Sequence, residues 1–267
     1  MLKSIKLSDI KKIDYYETPN DKRETMQTIF DRMKPDFIIN GTLYDMKSGK
    51  TITMSEDENK TEGYLFSTQG IGIKGDKELV WTTYTKAKAD DAIRDYMSGS
   101  PTLVINGKKV LDSGTTNSSI INTRHERSAI GYNNTHFFLY SSDRDEITCN
   151  QLADRCIANQ MQYAINLDGG GSSQVGMMDH STGKMKIINN RTENRPNPSW
   201  ILIYLTDEAK PAPPGKLKVK VDGVIHFVDG FIQDGRTYIQ IRELGEITGA
   251  YTLGYDSVNK MPIINTK

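Results

Sequence analysis

Cysteine is scarce in this chain of 267 residues, occurring only as Cys149 and Cys156. If their stretch is helical they sit two turns apart, roughly 10 Å, which is beyond disulfide reach. A disulfide scaffold is excluded, and both read as reduced packing residues. Histidine is scarce too: His125, His136, His180 and His226 are scattered, with no pair at metal-ligand spacing, which argues against a zinc centre. No loop motif supports calcium at Asp143 or Asp145, so no cofactor is expected. An excess of either charge is missing, since Lys+Arg and Asp+Glu both number 34. Nothing therefore favours nucleic acid or an anionic membrane as partner. Long apolar runs are also absent. No stretch approaches the roughly 20 residues of a membrane span, and the opening MLKSIKLSDIKKIDYYE has basic residues with no apolar run behind them. The expectation is a soluble protein with no export signal.

Proline concentrates at one place, Lys210-Pro211-Ala212-Pro213-Pro214-Gly215, a segment that can continue neither a helix nor a central strand. It divides residues 1–209 from a small piece, residues 216–267. In the larger part, strands are predicted at Phe37–Ile39, Gly72–Lys74 leading into Glu78–Thr82, Thr102–Ile105, Ser128–Tyr132, His136–Tyr140, Ala164–Leu167 and Trp200–Leu205. Helix is predicted near Asp21–Met33, near Lys88–Met97, and from Cys149 to Gln162 with Thr148 as N-cap. Leu152, Cys156, Ile157, Gln160 and Met161 would share the packed face of that last helix. Many short apolar runs with few helices make an α+β, sheet-rich fold.

Three segments carry candidate chemistry. Asn166-Leu167-Asp168-Gly169-Gly170-Gly171-Ser172-Ser173 follows a short apolar strand. Three glycines in a row need either positive φ or close backbone approach, and such a loop can turn N–H groups and serine hydroxyls towards phosphate or sugar oxygens. Read alone, a strand followed by such a run is more often an ordinary tight turn closed by an Asx bond. It has neither the lysine of a Walker loop nor the glycine spacing of a dinucleotide fingerprint. Arg124-His125-Glu126-Arg127 enters the small-residue strand Ser128–Gly131. An arginine there offers a planar fork for a phosphate, whereas Arg124 and Glu126 also read as a solvated ion-paired loop. Asn40-Gly41-Thr42-Leu43-Tyr44 after Phe37–Ile39 is, by itself, a turn.

Taken together, these segments resemble the phosphodiester glycosidase family. The resemblance runs from about Ile13 to Leu205 and rests on Asn40 to Tyr44, on Arg127 to Gly131, on the NLDGGGSS run at Asn166 to Ser173, and on Asn189 and Arg195 before the last strand. Thr42, Ser128 and Ser142-Asp143-Arg144 depart from the family's usual residues. The resemblance implies hydrolysis of the bond between a sugar's anomeric carbon and a phosphodiester, of the N-acetylglucosamine 1-phosphate type. Asp168 would then stabilise an oxocarbenium-like transition state as nucleophile or as base for water, while Arg127 and the N–H groups of Gly169, Gly170 and Gly171 hold the phosphate. Asn40, Gly41, Tyr44, Asn166, Ser172, Ser173, Asn189 and Arg195 would line or orient the substrate site. Asp143, Glu126 or Glu193 could join Asp168 in space.

Residues 216–267 begin with alternation, Leu217, Val219 and Val221 against lysines and Asp222, and carry Asp-Gly steps at 222, 229 and 234. These predict strands joined by hairpins. A short helix at Arg242–Ile247 and strands at Ala250–Leu253 and Met261–Ile264 would follow. The pattern resembles the stalk-like module first described at the N-terminus of copper amine oxidases, without copper ligands. That resemblance implies a spacer or a module for cell-wall polymer, in a bacterial or phage setting. Two other functions stay open, a non-catalytic sugar-phosphate-binding protein and a peptidoglycan glycosidase on the same fold.

Overall fold

The computed structural model describes residues 1–52, 55–57, 60–62, 69–112, 118–189, 194–212, 216–221, 224–233, 236–239, 251–256 and 261–266. The chain forms two compact units, residues 1–178 with 185–206, and residues 179–184 with 207–267.

The first unit begins β1 (Leu2–Lys6), β2 (Ile10–Glu17), α1 (Met26–Met33), β3 (Phe37–Asn40), β4 (Ser55–Asp57), β5 (Lys60–Glu62), β6 (Gln69–Lys74) and β7 (Glu78–Thr83). It continues with α2 (Tyr84–Lys88), β8 (Ile93–Ser98), β9 (Thr102–Ile105), β10 (Lys108–Asp112), α3 (Ser118–Asn122), β11 (Ser128–Tyr132) and β12 (His136–Ser141). Next come α4 (Cys149–Ala158), β13 (Tyr163–Asn166), β14 (Val175–Asp179), β15 (Lys184–Ile187) and β16 (Ser199–Leu205). Three sheets result, in the orders β1-β12-β11-β13-β9-β10, β15-β14-β3-β16-β2 and β5-β4-β8-β6-β7. This is the expected α+β, sheet-rich architecture.

Helices α4 and α1 each close one face of a sheet. The α4 residues Leu152, Ala153 and Cys156, with Met161 behind them, bury against Val104, Ala129, Phe138, Tyr140 and Ala164 of the six-stranded sheet. Gln160 is exposed instead of sharing that face, because the helix has already ended at Ala158. Both cysteines are free and buried, and burial pushes the Cys156 thiol up to about 12. On α1, Met26 and Ile29 cover Ile38, Trp200 and Leu202 of the second sheet.

Thr148 caps α4 as expected. Its hydroxyl accepts from the Gln151 N–H at 3.2 Å while the Gln151 side chain accepts from the Thr148 N–H at 3.1 Å. Thr148→Ala removes one side of this capping box, so thermal melting of the variant should show a loss of about 1 kcal/mol, roughly 2–4 °C, with turnover unchanged.

Two helix predictions need correction. The segment Lys88–Met97 is mostly strand: α2 stops at Lys88, and Ile93–Ser98 forms the central strand of the third sheet, between β4 and β6. Ile93 and Tyr96 pack there with Ala87, so burial on a pleated surface overrides the helical look of the preceding alanines and lysines. Helix α1 starts at Met26 rather than near Asp21, since Pro19–Asp21 makes a 3₁₀ turn and Thr25 supplies the cap. Strands β1, β2, β4, β5, β10, β14 and β15 were not anticipated. Their mixed polar composition hides them, and β2 is fixed by a full register against β16 from Glu17↔Ser199 onwards.

The second unit contains β17 (Lys216–Val221), β18 (Val224–Gln233), β19 (Arg236–Ile239), β20 (Tyr251–Asp256) and β21 (Met261–Thr266). Asp229-Gly230 is not a turn. Strand β18 runs straight through it, pairing β17 as far as Asp229 and β19 from Gly230 onwards, so the step marks a change of partner. The segment Arg242–Ile247 lies outside the described residues.

Candidate active site

The first two sheets end at one place. Strand β3 finishes at Asn40 and β13 at Asn166, and β11, β14 and β16 start beside them at Ser128, Val175 and Ser199. Backbone bonds string the Asp168 loop between the sheets: Leu167 N–H donates to Ser128 O at 2.9 Å and Asp168 N–H to Gly41 O at 3.1 Å.

Within the loop each glycine answers a separate constraint. Gly170 has φ +56 with open space around it, a conformation that disfavours other residues. A Cβ on Gly169 would press on the Glu126 carbonyl, and one on Gly171 would fall inside the Arg195 guanidinium, which therefore lies flat on this backbone. The expected cradle of N–H groups is largely spent. Gly170 N–H donates to Glu126 O at 2.8 Å, and those of Ser172 and Ser173 close the turn onto Gly169 and Gly170. The Gly169 N–H is directed to the Asp168 carboxylate. The cationic groups of the lining are the guanidinium groups of Arg127 and Arg195.

Asn40 is fully buried and its amide is saturated. It donates to Asp168 O at 2.9 Å and Gly41 O at 3.2 Å, and it accepts from Ser128 Oγ at 2.9 Å and Gln174 N–H at 3.1 Å. It holds the loop and has no hydrogen bond left for substrate. Ser173 extends the same network through Ser128 at 2.7 Å. Asn189, also buried, accepts from Val175 N–H at 2.9 Å and donates to Ser173 O at 2.9 Å, which pins the start of β14. Gly41 has Ser199 where a side chain would go. Thr42 turns into the core, its hydroxyl 3.1 Å from Tyr15 OH.

The cleft itself measures about 450 Å³, a size that suits a small ligand. Its lining includes Arg127, Asn166, Asp168, Gly169, Gly170, Gly171 and Arg195 from the anticipated set. Leu43, Ile120, Thr123, His125 and Leu167 complete it. Tyr44 is displaced by its neighbour Leu43: the ring is buried, with Arg23 stacked 5.8 Å from its centroid. Asn40, Ser172, Ser173 and Asn189 stand behind the cleft wall. Asp143 instead meets the amino terminus at 3.4 Å, Glu126 does not line the cleft, and Glu193 lies outside the described residues. Among the described residues, Asp168 is thus the one carboxylate of the lining.

Asp168 is ringed by protein on most sides and open on one, towards the cleft. Burial pushes its carboxyl up to about 6, against the lowering pull of the Ser172 hydroxyl, the Gly169 N–H and the Arg195 and Arg127 charges. The Ser172 hydroxyl is buried beside it, with no hydrogen bond of normal geometry to a described residue. Arg127 is anchored, donating from Nη2 to the carbonyls of Ile120 at 2.8 Å and Thr123 at 2.7 Å and from Nε to that of Ile147 at 3.3 Å. Only Nη1 is left to face a ligand, so much of Arg127 builds the wall that carries Ile120, Thr123 and His125. The Arg195 guanidinium makes no hydrogen bond to a described residue.

Residues 34–204 match the phosphodiester glycosidase family. The chain belongs to that family. It is accordingly a glycoside hydrolase acting on sugar phosphodiesters. The fold agrees. The catalytic domain of zebrafish N-acetylglucosamine-1-phosphodiester alpha-N-acetylglucosaminidase is similar with a TM-score of 0.59 at 17% identity, covering 76% of this chain and 83% of that one. A hypothetical protein from Synechocystis is similar with a TM-score of 0.54 at 11% identity, covering 77% of this chain and 59% of that one. No curated protein matches the chain along its sequence. The family match ends at residue 204 and so says nothing of the second unit.

In this phosphodiester glycosidase the departures from the family pattern are local. Thr42 faces the core rather than the cleft, and Ser128 supplies the hydroxyl that bonds Asn40. The glycines yield a contrast. Gly171→Ala should displace the flexible Arg195 guanidinium and raise KM roughly 10-fold or more with little change in stability. Gly170→Ala should lower stability by about 1–2 kcal/mol through backbone strain, leaving KM near wild type. Steady-state kinetics and thermal melting of both variants would check this.

Proposed function

We propose that the chain hydrolyses the bond between the anomeric carbon of an N-acetylglucosamine-type sugar and a phosphodiester, acting on a glycosyl-phosphate polymer of a bacterial surface. The observation that carries the reaction is that, among the described residues, Asp168 is the single carboxylate of the lining, beside the guanidinium groups of Arg127 and Arg195. Ordinary glycosidases place two carboxylates at the scissile bond because an alcohol leaving group needs a proton. Here water adds to the anomeric carbon, the C1–O bond breaks, and the oxygen leaves with its electron pair as a phosphate monoester. That product's conjugate acid has a pKa of about 6, so it departs without help from a general acid. One carboxylate, as nucleophile or as base for water, then suffices, and the guanidinium groups carry the growing charge on the phosphate. The second unit is read as a binding or spacer module for the polymer, on the sequence pattern alone.

The test compares a chromogenic phosphodiester of N-acetylglucosamine 1-phosphate with the matching neutral glycoside. Release of free N-acetylglucosamine should favour the phosphodiester by roughly 100-fold or more in kcat/KM. Equal rates, or preference for the neutral glycoside, would sink the reading. Phosphate-containing wall polymer compared with phosphate-free peptidoglycan tests the setting in the same way.

A further inference from the structure

Arg195 sits in a stretch that no sheet controls. Residues 194–196 have no regular secondary structure, and Asn197 contributes only an isolated bridge to Glu24. Pro196 and Pro198 on either side of Asn197 have no N–H with which to tie the segment down. Backbone bonds hold the far side of the segment, Asn197 N–H to Glu24 O at 3.0 Å, Glu24 N–H to Asn197 O at 3.1 Å and Thr18 N–H to Pro198 O at 2.7 Å, while on the side that meets Gly171 the structure contains a reciprocal pair of side-chain bonds. Gln174 Nε2 donates to Arg195 O at 2.8 Å, and Asn197 Nδ2 donates to Ser172 O at 3.3 Å. These bonds join the two segments on either side of the Gly171–Arg195 contact. Gln174 is also the backbone partner of Asn40, accepting from its N–H and donating to its side chain, both at 3.1 Å, and Asn40 holds Asp168 O. One residue thus links the support of the carboxylate to the support of the guanidinium.

We infer that Gln174 is a positioning residue that sets Arg195 against Asp168, with Asn197 as its counterpart. Neither lines the cleft. Both are buried, and each keeps its amide oxygen without a hydrogen-bond partner among the described residues, Oε1 of Gln174 and Oδ1 of Asn197. A buried unpaired acceptor is unfavourable, so an amide placed only for stability would be a poor choice at either position. What each amide does supply is one directed N–H bond. The inference rests on the reading of Arg195 as a phosphate-binding group.

The experiment is a double-mutant cycle in the full chain, with the chromogenic phosphodiester as substrate. Gln174→Met keeps the shape and removes both the donor and the unpaired oxygen, so the melting temperature should stay within about 2 °C of wild type. KM should rise roughly 10-fold with kcat within about 2-fold, and Asn197→Ala should show the same split. Arg195→Ala should raise KM at least as much, and adding Gln174→Met to it should change nothing further. An unchanged KM for Gln174→Met beside a raised one for Arg195→Ala overturns the positioning role alone, as do fully additive effects. An unchanged KM for Arg195→Ala overturns the phosphate reading of Arg195 and the inference with it. Should Gln174→Met melt far below wild type, Asn197→Ala decides by the same criteria.

Discussion

Asp168→Asn should abolish turnover and make the protein more stable. The activity loss follows from the cleft, which has no second carboxylate among the described residues to take over. Removing the nucleophile or base should cost roughly 10²–10⁴-fold in kcat. The stability gain follows from the carboxyl's pKa of about 6 against an ordinary value of 3.8. A raised carboxyl pKa means that the folded state binds the proton more tightly than the unfolded state. Folding is therefore unpenalised below about pH 4, and the penalty grows as pH rises through 6, where the carboxylate must ionise inside the cleft. At pH 7 to 8 the penalty approaches about 3 kcal/mol, and the amide avoids most of it. Melting curves of the two proteins should coincide near pH 4 and separate by several degrees near pH 7.5, the variant being higher. The same pKa predicts the acid limb of the wild-type kcat/KM profile, with activity rising through about pH 6 as the carboxylate forms. A rate that instead fell across that range would make Asp168 a general acid, and the single-carboxylate argument would fail.

The two effects in Asp168→Asn have one cause. A carboxylate solvated well enough to be stable would be a weak base and a sluggish nucleophile. The fold withholds solvent from it and supplies only the Gly169 N–H and the nearby hydroxyl and guanidinium groups, which lower its pKa less than burial raises it. A phosphodiester brings its own negative charge into this cleft, where the carboxylate alone would repel it. In the proposed reaction Arg195, against Gly171 and with no hydrogen bond to a described residue, would offset that repulsion, with Nη1 of Arg127 as a second cationic group of the lining.

The reaction class was legible only from the three segments taken together, through their resemblance to the phosphodiester glycosidase family, with NLDGGGSS as the most specific of them. What each residue does was not legible. Asn40 and Asn189 read as substrate ligands, but an amide can satisfy a neighbouring strand as readily as a sugar, and only burial separates the two cases. Tyr44 was anticipated in the cleft and Leu43 found there. The loop is held by Gly41 N–H to Ser199 O and Ile52 N–H to Leu43 O, both 2.8 Å, and by the inward turn of Thr42, contacts made by residues far away in sequence. Ile120 and Thr123 were missed as wall residues because their placement comes from Arg127 gripping their carbonyls. The helix predicted across Lys88–Met97 failed for a related reason, since Ile93–Ser98 is strand by virtue of its neighbours β4 and β6. Where local pattern and tertiary partner agreed, as at the Thr148 cap and along β11, β12 and β16, sequence reading held.

Asn40→Ala should also abolish turnover, with the opposite effect on stability. The amide joins the end of β3 in one sheet to Ser128 and the Asp168 loop in another, and its hydrogen bonds are made in full burial. Truncation strands the Gln174 N–H and the Asp168 carbonyl, each at about 1–3 kcal/mol, and leaves a small void. A total loss of about 3–5 kcal/mol is expected, read as a drop of roughly 6–20 °C in the melting temperature. Asn40→Asp is the sharper variant. It can still accept from Ser128 and Gln174, but its second oxygen faces the carbonyls of Gly41 and Asp168 where donors stood, and it buries a charge near the Asp168 carboxylate. It should therefore be no more stable than Asn40→Ala above neutral pH, and it should recover as the pH is lowered and the new carboxyl takes up the proton that can donate again. An Asn40→Ala protein that melted like wild type but had lost substrate affinity would show that this amide contacts substrate after all, and that the clamp between the two sheets lies elsewhere.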